Sequence, residues 1–298
     1  GSQAVGMGKA LADQFEVCAR TFAEADAALN ESLSELIFAG PADRLTLTEN
    51  TQPAILTMSI AVCRLLEEKG IRPAFVAGHS LGEYSAHVAA GTFSFADAVR
   101  LVRNRGRYMQ QATPVGSGAM AAILGLDEAG VNQACAEAAQ GEVVSAANLN
   151  GAGQIVIAGT TAAVARASER AKALGAKRAL PLPVSAPFHC ALMKPAEDRL
   201  APELRAVSAH TPRVPVIANV DAGPKRAAHE SIEALIRQVS SPVRWEDVVR
   251  RLASEGVTRY VEVGPGKALS GMIKRIVSGA TIYNVEGPDD LAAIEALS

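Results

Sequence analysis

The sequence predicts an α/β protein in two parts, a parallel sheet covered by helices and a small βαββαβ unit set inside it. Three observations lead there. The outer segments alternate short apolar strands with helices, as a parallel sheet with covered faces demands. The middle reads strand, helix, strand, tight reversal, strand, helix, strand, the ferredoxin-like order. Loop-forming residues bracket that middle, Pro114 to Gly118 before it and Pro181 to Pro187 after it. The expected division is therefore a large domain over residues 1–116 and 187–298, with a small domain inserted over 117–186.

Each element has its own signal. Thr51 to Lys69 reads as a helix ended by Gly70, and Ala74 to Ala77 as a short buried strand. Ser94 to Gln111 is a helix whose Ser94 and Asp97 fit an N-terminal S-x-x-D cap. In the insert, Ala119 to Leu124 is a strand, Asp127 to Ala139 a helix and Val143 to Asn148 a second strand. Asn150-Gly151-Ala152-Gly153 tolerates the positive φ of a reversal, and Gln154 to Ala158 returns as the partner strand. Thr161 to Leu174 is a helix closed by Gly175, and Lys177 to Leu182 the last strand. Beyond it, strands at Val214 to Asn219, Val257 to Val263 and Thr281 to Val285 alternate with helices around Ser231 to Val239, Val243 to Glu255 and Ala268 to Val277.

Bulk properties narrow the function. Hydrophobic residues at 49% and charged residues at 20% fit a water-soluble chain with a sizeable core. A net charge of −2 gives no general attraction to nucleic acid or anionic lipid, so neither is an expected partner. No apolar run approaches the ~20 residues that cross a bilayer, and Gly1 to Gly8 lack the regions of a signal peptide. Cys18, Cys63, Cys135 and Cys190 are far apart, without metal-ligand spacing. Reduced thiols, no bound metal and a cytoplasmic location are expected.

Gly78-His79-Ser80-Leu81-Gly82 matches the G-x-S-x-G nucleophile elbow. A strand precedes it and Glu83 to Ala90 can form a helix. The motif needs small residues two before and two after the serine, because they pack closely around a strained turn that pushes Oγ outwards. The backbone N–H of Leu81, at the start of that helix, would face a developing oxyanion.

A serine nucleophile needs a general base within hydrogen-bond reach. His79 should leave the turn in another direction, His87 fits a packed helix position, and His210 and His229 fall in surface-like stretches. His189 lies in Pro187-Phe188-His189, where the chain leaves the insert, and clefts form at such junctions. Spacing alone leaves its role open. A hydrolase triad runs serine, acid, then a late histidine, an order this chain does not favour; a backbone carbonyl is the alternative support for the imidazole.

On the helix from Ser94 to Gln111, Phe95, Ala98, Val99, Val102, Gly106 and Met109 form one apolar face. Arg100, Arg103 and Arg107 cluster on one flank, where solvated side chains are expected. Arg105 stands alone on the other. An arginine at the edge of a buried face needs an anionic partner, either a structural carboxylate or, as a bidentate clamp, a substrate carboxylate.

Together these residues resemble the malonyl-CoA:acyl carrier protein transacylase family. The matching stretches are Gly78 to Glu83, Arg100-Leu101-Val102 leading to Arg105-Gly106, Gly118 to Ala122, Asn148-Leu149-Asn150 with Gly153 to Ile157, Pro187-Phe188-His189, and Val263 to Lys267. They follow family order along almost the whole chain. The resemblance implies an α/β-hydrolase-like domain with a ferredoxin-like insert. It also implies Ser80 as nucleophile, His189 as base, Arg105 as ligand of the malonyl carboxylate, and Gln238 orienting His189 through its backbone carbonyl. Leu81 would supply an oxyanion donor, and Phe188 resembles the malonyl-type signature. Gly264-Pro265-Gly266-Lys267 lacks the rest of a phosphate-binding loop and reads as a strand-to-helix turn.

The implied reaction is ping-pong transfer from malonyl-CoA to an acyl carrier protein, with no cofactor beyond the coenzyme A thioester substrate. Serine thioester hydrolysis and a non-catalytic carrier-docking role are the competing classes. Carriers of this family are acidic, so Lys177-Arg178 and Lys274-Arg275 are docking candidates, with solvated surface charge as the alternative. Family members open with an apolar strand ending in Pro-Gly-Gln-Gly-Ser-Gln, whereas this sequence begins at Gly1-Ser2-Gln3. A truncated or incompletely given N-terminus is expected rather than a natural start, the sequence as it stands lacking the glutamine whose N–H is the family's second oxyanion donor.

Overall fold

A computed structural model describes residues 2–114, 116–184 and 186–294. Gly1 lies outside them, as do Val115 and Ser185 of the two bracketing loops. The fold is mixed α/β. Helices α1 (Lys9–Gln14), α2 (Glu16–Leu29), α3 (Leu33–Ala39), α4 (Ala42–Thr46) and α5 (Thr48–Glu68) come first. Then follow β1 (Val76–Ala77), α6 (Leu81–Ala89) and α7 (Phe95–Gln111). Ser94 caps α7, its Oγ accepting from the Asp97 N–H at 3.1 Å. Helix α5 is buried along most of its length and α7 lies directly on it. A Cβ on Gly106 would stand 2.6 Å from Glu49 Cα and 2.7 Å from the Thr48 carbonyl oxygen. The two helices therefore touch backbone to backbone at a point only glycine fits.

The middle segment contains β2 (Gly118–Leu124), α8 (Glu128–Ala139), β3 (Val144–Leu149), β4 (Gln154–Thr160), α9 (Thr161–Ala173) and β5 (Arg178–Pro181). Its antiparallel sheet runs β3-β4-β2-β5. Side chains alternate across it with period two. Ala121, Ile123, Ile155 and Ile157 pack under α8 and α9. Met120, Ala122, Val156 and Ala158 face the other way, onto Phe188 and Cys190 of the flanking chain. The edge of β3 is covered too. Leu149 N–H donates to the Val243 carbonyl at 2.8 Å and Val243 N–H to Ala147 at 2.9 Å.

The remaining elements are α10 (Lys194–Ala206), β6 (Val216–Ile217), β7 (Pro224–Lys225), α11 (Ala228–Gln238), α12 (Trp245–Ser254), β8 (Arg259–Val263), α13 (Ala268–Ile276), β9 (Thr281–Val285) and α14 (Leu291–Ile294). Strand β1 pairs parallel with β6, and β8 with β9. Among the described residues these are two separate pieces, not the one continuous parallel sheet expected, and β6 continues antiparallel into β7. The expected strands at Ala74 to Ala77 and Val214 to Asn219 shrink to two residues each. Pro73 and Pro215 have no N–H to give a ladder, and the Asn219 N–H goes to the Glu83 carboxylate instead of a strand. Residues 264–267 do form the turn from β8 into α13. No helix among the described residues is long and apolar enough to cross a membrane.

Candidate active site

Strand β1 runs into a sharp turn at Gly78, and Ser80 stands at the head of α6 with φ 55° and ψ −109°. A non-glycine residue held there costs of order 1–3 kcal/mol. Two side chains grip its peptide groups. Asn219 Oδ1 accepts from the Ser80 N–H at 2.7 Å, and Gln238 Nε2 donates to the Ser80 carbonyl at 2.9 Å. A Cβ on Gly78 would fall 2.0 Å from the Gly82 carbonyl, so that glycine is obligatory. Gly82 differs from the expectation: a Cβ there meets nothing within 4 Å. The close approach is made by the Cβ direction of Gly78 alone. Leu81 is the first residue of α6, so its N–H has no partner within the helix.

His189 is buried, in a left-handed conformation of φ 61°. Its Nε2 lies 2.6 Å from Ser80 Oγ and its Nδ1 2.9 Å from the Gln238 carbonyl oxygen. A carbonyl only accepts, so the ring proton sits on Nδ1 and Nε2 is left to receive the serine proton. Burial, with the Arg105 charge adding to it, pushes the imidazole down to about 3 and keeps it neutral. The other histidines are placed differently. His79 points away from Oγ and bonds Asn150 Oδ1 at 2.9 Å, tying the elbow to the middle segment. His87 is packed inside α6, while His210 and His229 are exposed.

Arg105 is only 2% exposed. Its Nη1 donates to Gln52 Oε1 at 2.7 Å, and its Nη2 to Ser80 Oγ and to Gln238 Oε1, both at 3.0 Å. Among the described residues it forms no ion pair, and its Nε has no hydrogen-bond partner. The structural carboxylate that sequence reasoning allowed is not in contact. Arg103 also departs from expectation. It is 5% exposed, pairs with Glu31 at 2.9 Å and bonds Asn50, because its flank of α7 faces the head of α5. Arg100 and Arg107 remain solvated.

Three members of this network escape sequence reasoning. Gln52 sits on α5, held to Thr48 Oγ1 at 3.0 Å. Asn219 follows β6, and Glu83 is wholly buried on α6. Burial raises the Glu83 carboxyl to about 7 against the hydrogen bonds from Gln238 and Asn219. Only Asn219 carries a signal, a polar side chain at the end of the apolar run Val214 to Ala218; Gln52 and Glu83 stand among polar neighbours, where spacing does not separate them from solvent-facing side chains.

Phe188 is half-buried between the two parts of the molecule, on the face of β2 and β4 that carries Met120 and Ala122. Lys177, Arg178, Lys274 and Arg275 are exposed. Arg178 pairs across the sheet with Leu124, and Leu124 with Gln154, whose Oε1 accepts from Arg275 at 3.1 Å. Both basic pairs thus gather at one end of the junction between the middle segment and the rest. A cavity of about 430 Å³ opens beside them, lined by Gly125, Leu126, Gly151 and Glu246, away from Ser80. All four cysteines are free, and among the described residues no cluster of three or more His, Cys, Asp or Glu is placed to hold a metal.

Residues 1–284 match the acyl transferase domain family. The chain is 52% identical over 294 residues to the malonyl CoA-acyl carrier protein transacylase of Escherichia coli (strain K12), covering 98% of this chain and 95% of that one. It superimposes with a TM-score of 0.97 on an acyl carrier protein S-malonyltransferase from Vibrio cholerae, 50% identical, covering 99% and 96%. The same TM-score relates it to a malonyl-transacylase solved in complex with its type II PKS acyl-carrier protein, at 47% identity over 100% and 97%.

Proposed function

The chain belongs to the acyl transferase domain family, and from that premise we propose that it moves a malonyl group from malonyl-CoA to the phosphopantetheine thiol of an acyl carrier protein. The observation that carries this reading is the meeting of two groups on one serine oxygen. Ser80 Oγ lies between a neutral imidazole at 2.6 Å and a buried, carboxylate-free guanidinium at 3.0 Å.

His189 Nε2 takes the Ser80 proton as Oγ attacks the thioester carbonyl. The Leu81 N–H, at the positive end of α6, faces the oxygen that becomes negative. Collapse breaks the carbon–sulfur bond, and His189 returns its proton to the departing thiolate, giving free coenzyme A and malonyl-Ser80. The carrier thiol then gives its proton to His189 and attacks the ester; Ser80 leaves and recovers the proton. Gln238 holds the imidazole through its carbonyl, a weaker support than a carboxylate but adequate for a thiolate leaving group. Arg105 takes the malonyl carboxylate as a planar fork. That selects a dicarboxylic acyl group and disfavours plain hydrolysis.

Further parts of the reading rest on the same family membership. The sheet order β3-β4-β2-β5 with both helices on one face supports a ferredoxin-like insert, and the strand–elbow–helix around Ser80 supports an α/β-hydrolase-like host. Phe188 would border the acyl pocket. The exposed basic pairs at one end of the junction suit an acidic carrier. No cofactor is needed, because the thioester supplies the driving force, and the setting is cytoplasmic fatty-acid synthesis. Incubation with malonyl-CoA followed by intact-mass measurement tests the reading. The expected result is one malonyl adduct, absent in Ser80→Ala and discharged by carrier thiol. Rapid hydrolysis without an acceptor would favour a thioesterase instead.

A further inference from the structure

Glu83 lies three residues after Ser80, on the inner side of α6, and is fully buried. A buried carboxylate is expensive unless paired, yet among the described residues Glu83 forms no ion pair. Its Oε1 has no hydrogen-bond partner at all. Its Oε2 accepts twice, from Gln238 Nε2 at 2.7 Å and from the Asn219 N–H at 3.0 Å.

Those two donors are not incidental. Asn219 Oδ1 holds the N–H of Ser80, and Asn219 Nδ2 holds the Gly78 carbonyl at 2.8 Å. Gln238 Nε2 holds the Ser80 carbonyl, its Oε1 receives Arg105, and its backbone carbonyl receives His189. One carboxylate oxygen therefore lies behind both clamps on the strained serine and behind the residue that aims base and guanidinium. With its Nε2 held on both Glu83 and the Ser80 carbonyl, the Gln238 carboxamide keeps its Oε1 turned to Arg105.

We propose that Glu83 is a positioning residue for the transfer reaction, acting through Gln238 and Asn219 to hold Ser80, His189 and Arg105 in register. The inference rests on the function proposed above for Ser80 and His189, not on which acyl group is carried. What it requires is an acceptor oxygen at the right reach, not a charge. Glutamine keeps that reach and aspartate keeps the charge but falls short by one methylene.

The test measures labelling of Ser80 by a fluorophosphonate, which needs only an activated serine, beside acylation by malonyl-CoA. Labelling amplitude reports the folded fraction and the rate constant reports positioning. Glu83→Ala is expected to lower both rate constants by about 100-fold at near wild-type amplitude, as loss of a preorganised group does. Glu83→Gln should stay within about fivefold of wild type, and Glu83→Asp should fall at least tenfold below it. Should Glu83→Ala not fold, the Gln and Asp variants decide. Aspartate equal to or faster than glutamine overturns the proposal, as does a Glu83→Ala chain with reduced amplitude but an unchanged rate constant. Wild-type protein that reacts with the fluorophosphonate but not with malonyl-CoA would instead sink the malonyl reading, leaving the Glu83 comparison intact.

Discussion

Arg105 Nη2 donates to Ser80 Oγ at 3.0 Å, although Arg105 stands on α7 and Ser80 at the head of α6, and among the described residues the guanidinium forms no ion pair. Under the function proposed above, a guanidinium beside that oxygen would stabilise negative charge on the attacking atom and, with its Nε unpartnered, would meet the carboxylate of the acyl group.

Arg105→Ala should therefore lower kcat/KM for malonyl-CoA far more than for acetyl-CoA. A charge-assisted hydrogen bond contributes ~1.5–3 kcal/mol, about 10- to 150-fold in rate. Arg105→Lys should restore only part, because an ammonium cannot reproduce the fork. A parallel fall for both thioesters with a lowered Tm would mean the arginine serves only the fold.

Gly106 sets how closely α7 meets α5, and that approach carries Arg105 to Gln52. Gly106→Ala must push the helices apart, costing about 1–3 kcal/mol as overpacking does. Both Tm and the malonyl-to-acetyl ratio should fall. A lower Tm with an unchanged ratio would detach Arg105 placement from the helix contact.

The sequence exposes what is local. The elbow at Ser80, the cap at Ser94 and the apolar run of Ala119 to Leu124 are written within a few residues, and the structure has each of them. It hides what is assembled across the chain. Ser80 and His189 are 109 residues apart, so spacing alone does not bring the imidazole to the serine oxygen. Asn219 reads as the end of a strand, but its backbone and side chain turn to Glu83 and Ser80. Arg103 reads as solvated because helical periodicity says which face a residue is on, not what covers that flank.

Acid stability tests the buried titratable groups. His87 and His189 are held down to about 3, so between there and 6.5 the unfolded chain binds protons the fold does not, and stability falls as pH falls. Glu83 has the opposite sign. Raised to about 7, it binds a proton in the fold between 4.5 and 7 that the unfolded chain lacks, so its contribution is lost as pH rises. Across 4.5–6.5 the two oppose. Removing the titration with Glu83→Gln should steepen the fall of Tm between pH 6.5 and 5.0, and an unchanged slope would show that Glu83 titrates normally.

The basic pairs give the last test. Lys177 and Arg178 extend from the end of β5, and Arg275 reaches across to Gln154 from α13, so both pairs border one end of the junction between the middle segment and the rest of the chain. A carrier must bring its thiol to Ser80 while its folded body stays outside, and an acidic body would be attracted to such an edge. Lys177→Glu with Arg178→Glu should weaken the second half-reaction, transfer from malonyl-Ser80 to carrier, and leave acylation by malonyl-CoA near wild type. These side chains are exposed, so their effect should shrink as salt shortens the screening length from about 8 Å at 0.15 M to about 3 Å at 1 M. A folding defect would not respond to salt in that way, and it would slow both half-reactions. Equal loss in the two half-reactions, unchanged by salt, would remove these residues from carrier recognition.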